Sequence, residues 1–311
     1  MKKLWKLTAL LIGAVFMLTV ITGCGGEKPK EEAPKAEEQA QLTIGIALST
    51  LNNPFFVDMK DGAQAAADKI GAKLIVMDAQ DDASKQVSQV EDLIQQKVNV
   101  ILLNPTDSDG LATAVQDANK ANIPVITLDR SVNGGTVVSH IASDNVAGGK
   151  LAGEFIAKQL ENKGKVVELE GIAGTSAARD RGQGFHEVID TQKEIEVVAK
   201  QPADFDRSKG MSVMENILQS QPEINAVFAH NDEMALGALQ AIEAAKKQIL
   251  IVGFDGGADA VKAVEEGKMG ATVAQQPKLI GELGVQNAEK VAKGETVEAS
   301  IPAELKLIIK E

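Results

Sequence analysis

The chain of 311 residues has no tyrosine, one tryptophan, one cysteine, three histidines and eight phenylalanines. A single cysteine excludes a disulfide framework within the chain. The three histidines have no cysteine or second histidine at ligand spacing, and no serine stands in a nucleophile elbow, so no metal site and no nucleophilic catalyst is expected. Neither a Walker pattern nor a dinucleotide glycine pattern is present, which leaves no cofactor to expect. The formal net charge is −12, and so acidic a body argues against nucleic acid as a partner. Arginine is also scarce, with four residues, at 130, 179, 181 and 207. Their rarity points to placed use rather than general solubilising charge.

What the chain does have begins at its start. Lys2, Lys3 and Lys6 precede the apolar run "LTALLIGAVFMLTVI", which ends in "TGCGG", the layout of an export signal with small residues at its cut site. The lone cysteine, Cys24, falls directly after those small residues. Ile21-Thr22-Gly23-Cys24 resembles a bacterial lipobox, which implies a signal peptide over residues 1–23 and lipidation of Cys24. A plain transmembrane anchor with an incidental cysteine is the alternative, since the apolar run approaches membrane-spanning length. The next stretch, "EKPKEEAPKAEEQAQ", has no aliphatic residue larger than alanine and cannot bury apolar surface. Residues 24–41 therefore read as an acidic flexible tether.

From residue 42 short strand-like runs alternate with amphipathic helical segments, the rhythm of parallel sheets covered by helices on both faces. The strand candidates are "LTIGIAL", "KLIVM", "NVILL", "IPVITL", "KVVELE", "EIEVVA", "INAVFA", "QILIVGF" and "GATVA". In "FFVDMKDGAQAAADKIG" the residues Phe56, Met59, Ala63, Ala67 and Ile70 keep helical spacing, and Gly71 supplies the stop. Two longer stretches echo each other. In each, a strand leads to an asparagine, a helix follows, and the next strand ends in an aspartate: Asn104 to Asp129, then Asn231 to Asp255. Ligands of open parallel sheets bind beyond the carboxyl ends of the strands, so two such lobes would enclose a cleft. The plainer reading, that Asn104 only caps a following helix, is the one expected for that residue.

The polar residues at these strand exits suit a hydroxylated ligand. A guanidinium fork offers several fixed donors, and a carboxylate accepts two or more bonds, which matches the adjacent hydroxyls of a sugar. The loop "GTSAARDRG" could instead hold an anion at a helix start, although Asp129 and Asp255 would repel one. Asp129 with Asp255 could also form a glycosidase pair, against which an exported, tethered, two-lobed chain speaks for capture rather than hydrolysis.

The motifs "ALSTLNNPFF", "ILLNPTDSD", "IPVITLDR", "VSHIASDN", "GIAGTSAARDRG", "QPADFDR", "HNDEMALGA", "VGFDG" and "TVAQQP" run in order over residues 42–311. Together they resemble the bacterial D-ribose-binding proteins of the type I periplasmic binding protein family. The resemblance implies two doubly wound parallel-sheet α/β lobes joined by a three-segment hinge, with crossings near residues 143, 275 and 304. It implies an N-terminal lobe of residues 42–143 and 276–304 and a C-terminal lobe of residues 144–275 and 305–311. Phe55 and Phe56 then form one wall of a sugar site, and Phe205 and Phe254 the other. Asn53, Asp129, Arg130, Arg181, Asn231, Asp255 and Gln275 supply its hydrogen bonds. Arg179 and Arg207 fall off the motif, which leaves them as loop-bracing ion pairs.

The expected function is capture of D-ribose and its delivery to the permease and ATPase of an ABC importer, by a monomer that is not an enzyme. A lipobox with a tether further implies anchorage on the outer face of the cell membrane, as in a Gram-positive cell. His230 is a departure, where ribose binders often carry glutamine. An allose-like sugar or a furanosyl signalling molecule is the alternative ligand. The effector core of a sugar-responsive repressor shares the fold, but no helix-turn-helix precedes residue 42.

Overall fold

The first helix shows how the local sequence sets the architecture. Asn53 ends the loop after the first strand, and its Oδ1 accepts the Phe55 N–H at 2.9 Å, capping a helix that has proline in its first turn. Phe56, Met59, Ala63 and Ala67 line the buried face of this helix, and Gly71 closes it in the left-handed region at φ 67.

The computed structural model describes residues 41–221 and 223–310; Cys24, the signal segment and the tether up to residue 40 lie outside them. The chain begins β1 (Thr43–Leu48), α1 (Pro54–Ile70), β2 (Lys73–Asp78), α2 (Ala83–Gln95), β3 (Val100–Leu103), α3 (Ala112–Lys120), β4 (Val125–Leu128) and β5 (Val137–Ser143). It continues α4 (Asn145–Gln159), β6 (Lys163–Glu170), α5 (Ser176–Ile189), β7 (Glu194–Pro202), α6 (Arg207–Ser220), β8 (Ala226–Ala229), α7 (Asp232–Ala244), β9 (Leu250–Asp255), α8 (Ala258–Glu265) and β10 (Ala271–Ala274). It ends with α9 (Pro277–Ala292), β11 (Ser300–Ala303) and β12 (Lys306–Ile309).

Among the described residues two six-stranded sheets result, with orders β11-β5-β4-β3-β1-β2 and β12-β10-β9-β8-β6-β7. All pairings are parallel except β10 with β12. The chain passes from the first sheet to the second after β5, returns after β10 through α9, which packs on β3, β4 and β5, and passes back between β11 and β12. Central strands are apolar on both faces because helices cover both. In β3, Val100 and Leu102 enter one core while Ile101 and Leu103 enter another. In β8, Ala226 and Phe228 face one core and Val227 and Ala229 the opposite one.

All nine strand candidates are strands. Three more appear: β5, whose run reads as strand-like, and the edge strands β11 and β12. The last two carry weak signals, four residues each, with Pro302 inside β11. An edge position tolerates that proline, since one side of the strand has no ladder to serve.

Candidate functional site

The carboxyl ends of strands from both sheets converge on one narrow cavity, about 230 Å³ counting the space that opens to solvent. The turn after β1 leads to Asn53, Phe55 and Phe56, and the turn after β4 brings Asp129 and Arg130. From the second sheet come Ala177 and Arg181 on α5, Phe205 after β7, Asn231 after β8 and Asp255 at the end of β9. Nine of the eleven residues expected from sequence line this cavity.

The rings make its apolar surfaces. Phe55 and Phe56 are buried and meet edge to face, with centroids 5.2 Å apart. Both also belong to the core under α1, so they serve the core with one side and the cavity with the other. The Arg130 guanidinium lies between rings of the two lobes, 5.0 Å from the Phe56 centroid and 5.1 Å from that of Phe205.

Its polar atoms are held in unequal ways. Asp129 Oδ2 accepts from Asn104 Nδ2 at 3.3 Å and lies 3.7 Å from Arg130 Nε, but its Oδ1 has no partner. Arg130 Nε and Nη1 are buried without an acceptor. Buried polar groups are ordinarily satisfied, and leaving one unpaired costs about 1–3 kcal/mol. Arg181, by contrast, is tied: Nε donates to Asn145 Oδ1 at 2.8 Å and Nη1 to the His230 carbonyl at 2.6 Å, with Asp255 Oδ1 at 3.6 Å. Asn231 caps α7 by accepting the Met234 N–H at 2.9 Å and donates to the Phe205 carbonyl at 3.2 Å. Asp129, Phe205 and Asp255 sit at φ 61, 58 and 123, strained conformations of about 1–3 kcal/mol each, of the kind that gather at functional sites.

Burial dominates the electrostatics. It raises the Asp255 carboxyl to about 7, with Arg181 pulling the other way and Asp129 adding to the rise. It also pushes the neighbouring Asp232 well above the carboxylate range, and Asp255 adds to that rise. Asp232 accepts from Thr272 Oγ1 at 2.7 Å and from the Gly257 N–H at 2.8 Å, so it fixes the turn after β9. The Arg130 guanidinium is lowered by burial, against the pull of Asp129.

Two expected residues lie elsewhere. Phe254 does not line the cavity: it is fully buried in the second lobe's core, with the Arg181 guanidinium 3.8 Å from its ring centroid, so it supports the arginine from behind. Gln275 lines the wider groove next to the cavity. Its Nε2 donates to Asp255 Oδ1 at 3.0 Å and its Oε1 is buried without a partner.

The capping role expected for Asn104 is corrected. α3 starts only at Ala112, with no side-chain cap, and Asn104 is fully buried instead. It accepts from Ser49 Oγ at 2.7 Å and donates to Leu128 O and Asp129, so it aims the aspartate. Arg207 braces a loop by a two-pronged pair with Glu233 at 2.9 and 2.7 Å and a contact to Asp259, and exposed Arg179 faces Asp180 at 3.6 Å. Sequence reasoning missed Ala177, which nothing but the fold could place. It also missed Glu168, fully buried and bonded to His230 and His186 at 2.9 Å each, which locks His230 behind Arg181.

Charged donors and acceptors beside apolar rings are the lining that a polyhydroxylated molecule with apolar faces would match. A family model described as a periplasmic binding protein domain matches residues 44–296. The ribose import binding protein of Haemophilus influenzae is 58% identical over 276 residues, covering 89% of this chain and 94% of that protein. That of Bacillus subtilis is 52% identical over 291 residues, covering 93% and 95%. Among solved structures, an ABC transporter solute-binding protein from Bacillus halodurans with bound myo-inositol superposes with a TM-score of 0.83 at 37% identity, covering 87% of this chain and 96% of that one. On fold, motif order and these likenesses, the chain belongs to the periplasmic binding protein family.

Proposed function

We propose that this chain is the solute-binding component of an ABC importer and captures D-ribose between its two lobes. The observation that carries this is the set of buried polar atoms without partners, Asp129 Oδ1, Arg130 Nε and Nη1, and Gln275 Oε1, at and beside a cavity faced by phenylalanine rings. Sugar hydroxyls complete those bonds, and the rings of Phe55, Phe56 and Phe205 cover the C–H faces of the sugar. Asn53, Arg181, Asn231 and Asp255 take the remaining hydroxyls. The high identity to ribose import binding proteins supports ribose as the ligand.

The lobes of this reading are residues 42–143 with 276–304, and 144–275 with 305–311, closing on the three connecting segments. Sugar bonding to both lobes shifts the balance toward the closed form by the difference in its affinity for the two forms. Cys24 carries the lipid that holds the protein, as a monomer, on the outer face of a Gram-positive membrane, and residues up to 41 are its tether. Asp129 and Asp255 bind and do not hydrolyse; complete recovery of intact ribose after long incubation checks this.

Calorimetry and a thermal-shift panel of ribose, allose, xylose, galactose and furanosyl signalling molecules tests the assignment, because binding to the native state raises Tm. Ribose should give the largest shift. No shift with ribose at millimolar concentration overturns the reading, and a larger shift with allose or a furanosyl signal reassigns the ligand. Fatty-acid labelling that persists in Cys24→Ala removes the lipid assignment.

A further inference from the structure

Beyond the cavity the two lobes touch again, where the loop after β3 and the segment after β4 meet the loop between β6 and α5. The Ser108 N–H donates to the Gly174 carbonyl at 3.0 Å, and the Ser131 N–H donates to Ser176 Oγ at 2.9 Å. Ser108 Oγ donates to the Ser131 carbonyl at 2.9 Å, which joins the two first-lobe donors into one unit. Ser108 and Ser176 are buried, at 1% and 3% exposure, and neither lines the sugar cavity.

Gly174 is required at this contact. Its φ is +91, and a Cβ there would lie 2.0 Å from Asp107 Oδ2. Asp107 is itself fixed, because its Oδ1 accepts the N–H groups of Asp109 at 2.9 Å and Gly110 at 2.6 Å. Ser176 is not the cap of α5. Thr175 fills that role by accepting the Ala178 N–H at 3.2 Å, so the Ser176 hydroxyl is free to serve the other lobe. The next residues of the same helix include Ala177 and Arg181, both at the cavity.

Bonds within a lobe survive when the lobes separate, whereas these two break. They therefore count only toward the closed arrangement. The affinity seen for a ligand falls in proportion to the fraction of protein in the binding-competent form. We propose that Ser108, Ser131, Gly174 and Ser176 form a latch that sets sugar affinity by stabilising closure without touching the sugar. The proposal rests on the sugar-capture reading above.

The test uses the full chain with Cys24→Ser and spin labels at Glu91→Cys and Glu215→Cys, exposed positions on α2 and α6. Ribose affinity is read by calorimetry, the distance between lobes by pulsed electron resonance, and fold integrity by thermal melting. Ser176→Ala should weaken ribose binding about 2- to 10-fold, the range for one hydrogen bond, with sugar-free melting unchanged. Gly174→Ala should weaken it more than about 10-fold, as one neighbour must shift for closure. Adding Asp107→Ala to Gly174→Ala should restore most of that loss, because the clash is then gone, whereas strain from the positive φ remains.

Wild-type affinity in both Ser176→Ala and Gly174→Ala overturns the latch, as does a Gly174→Ala loss that Asp107→Ala leaves untouched. Failure of the ribose reading shows itself separately, as a wild-type protein that ignores ribose. The sugar-free distances then decide: the latch requires a larger short-distance population in wild type than in Gly174→Ala, and equal populations end it.

Discussion

The two lobes share one strand order, differing only in the direction of the edge strand β12, yet their arginine–aspartate pairs behave differently. In the first, Asp129 and Arg130 leave Oδ1, Nε and Nη1 without hydrogen-bond partners, and the guanidinium lies between the Phe56 and Phe205 rings with Asp129 Oδ2 3.7 Å from its Nε. In the second, Arg181 is fastened to Asn145 and His230 and backed by Phe254, with Asp255 beside it and Gln275 on Asp255. The asparagines differ in the same way. Asn231 caps the helix that follows it, whereas Asn104 spends its whole amide on orienting the turn around Asp129. The first lobe thus leaves three side-chain atoms open at the cavity, and the second presents a braced surface.

Arg130→Ala tests this difference most sharply. Removing it takes the Nε and Nη1 donors away from the sugar, two charge-assisted hydrogen bonds worth about 3 kcal/mol or more together, over 100-fold in the ribose Kd. The sugar-free Tm should change little, since Arg130 Nε and Nη1 have no hydrogen-bond partner to lose. A Kd within tenfold of wild type, measured by calorimetry, would break the comparison.

Arg181→Ala should weaken ribose binding about tenfold or more and, unlike Arg130→Ala, lower the sugar-free Tm by several degrees, at about 2–4 °C per kcal/mol for a domain of this size. It removes the brace between α5, α4 and the turn after β8. An unchanged Tm in scanning calorimetry contradicts the bracing role.

The next effect is on pH. With the Asp255 carboxyl at about 7 in the folded chain, against the ordinary carboxylate value of about 3.9 when unfolded, the folded form holds more protons between those values. Stability contributed by this group is therefore present at low pH and falls as pH rises from about 4 to 7. Asp255→Asn removes that decline, so thermal melts of variant and wild type should diverge toward pH 8, with the variant higher. Sugar hydroxyls favour the ionised carboxylate, so ribose binding near pH 6.5 should release protons, read as a heat that depends on the buffer.

The smallest effect is expected from Arg179→Ala. Its pairing with Asp180 is exposed and neither residue lines the cavity, so it is worth about 0–1 kcal/mol and the ribose Kd should stay within about twofold. A tenfold change would draw this arginine into the site.

Much of this was legible beforehand because each signal is local. Strand runs, helical spacing, the Asn53 cap and the Gly71 stop act over a few residues and keep their meaning in the fold. The paired Asn-to-Asp intervals also survived, since β3–β4 and β8–β9 occupy equivalent places in the two sheets. The edge strands β11 and β12 escaped because their pairing is set by partners far along the chain, Ser300 with His140 and Ile309 with Ala271. Asn104 was misread because a cap and a buried amide look alike in sequence; partners 24 to 55 residues away, Leu128, Asp129 and Ser49, separate them.

The amino-acid order by itself determined the α/β alternation, the strand exits and the residue types gathered there, since periodicity, turn chemistry and motif order are properties of the chain. Tertiary structure alone decided which of those residues face the cavity. Phe205 turns toward it while Phe254 backs Arg181, and Arg130 keeps its donors open where Arg181 does not. Burial and hydrogen-bond partners at these positions come from segments tens of residues apart, and no short-range pattern encodes them.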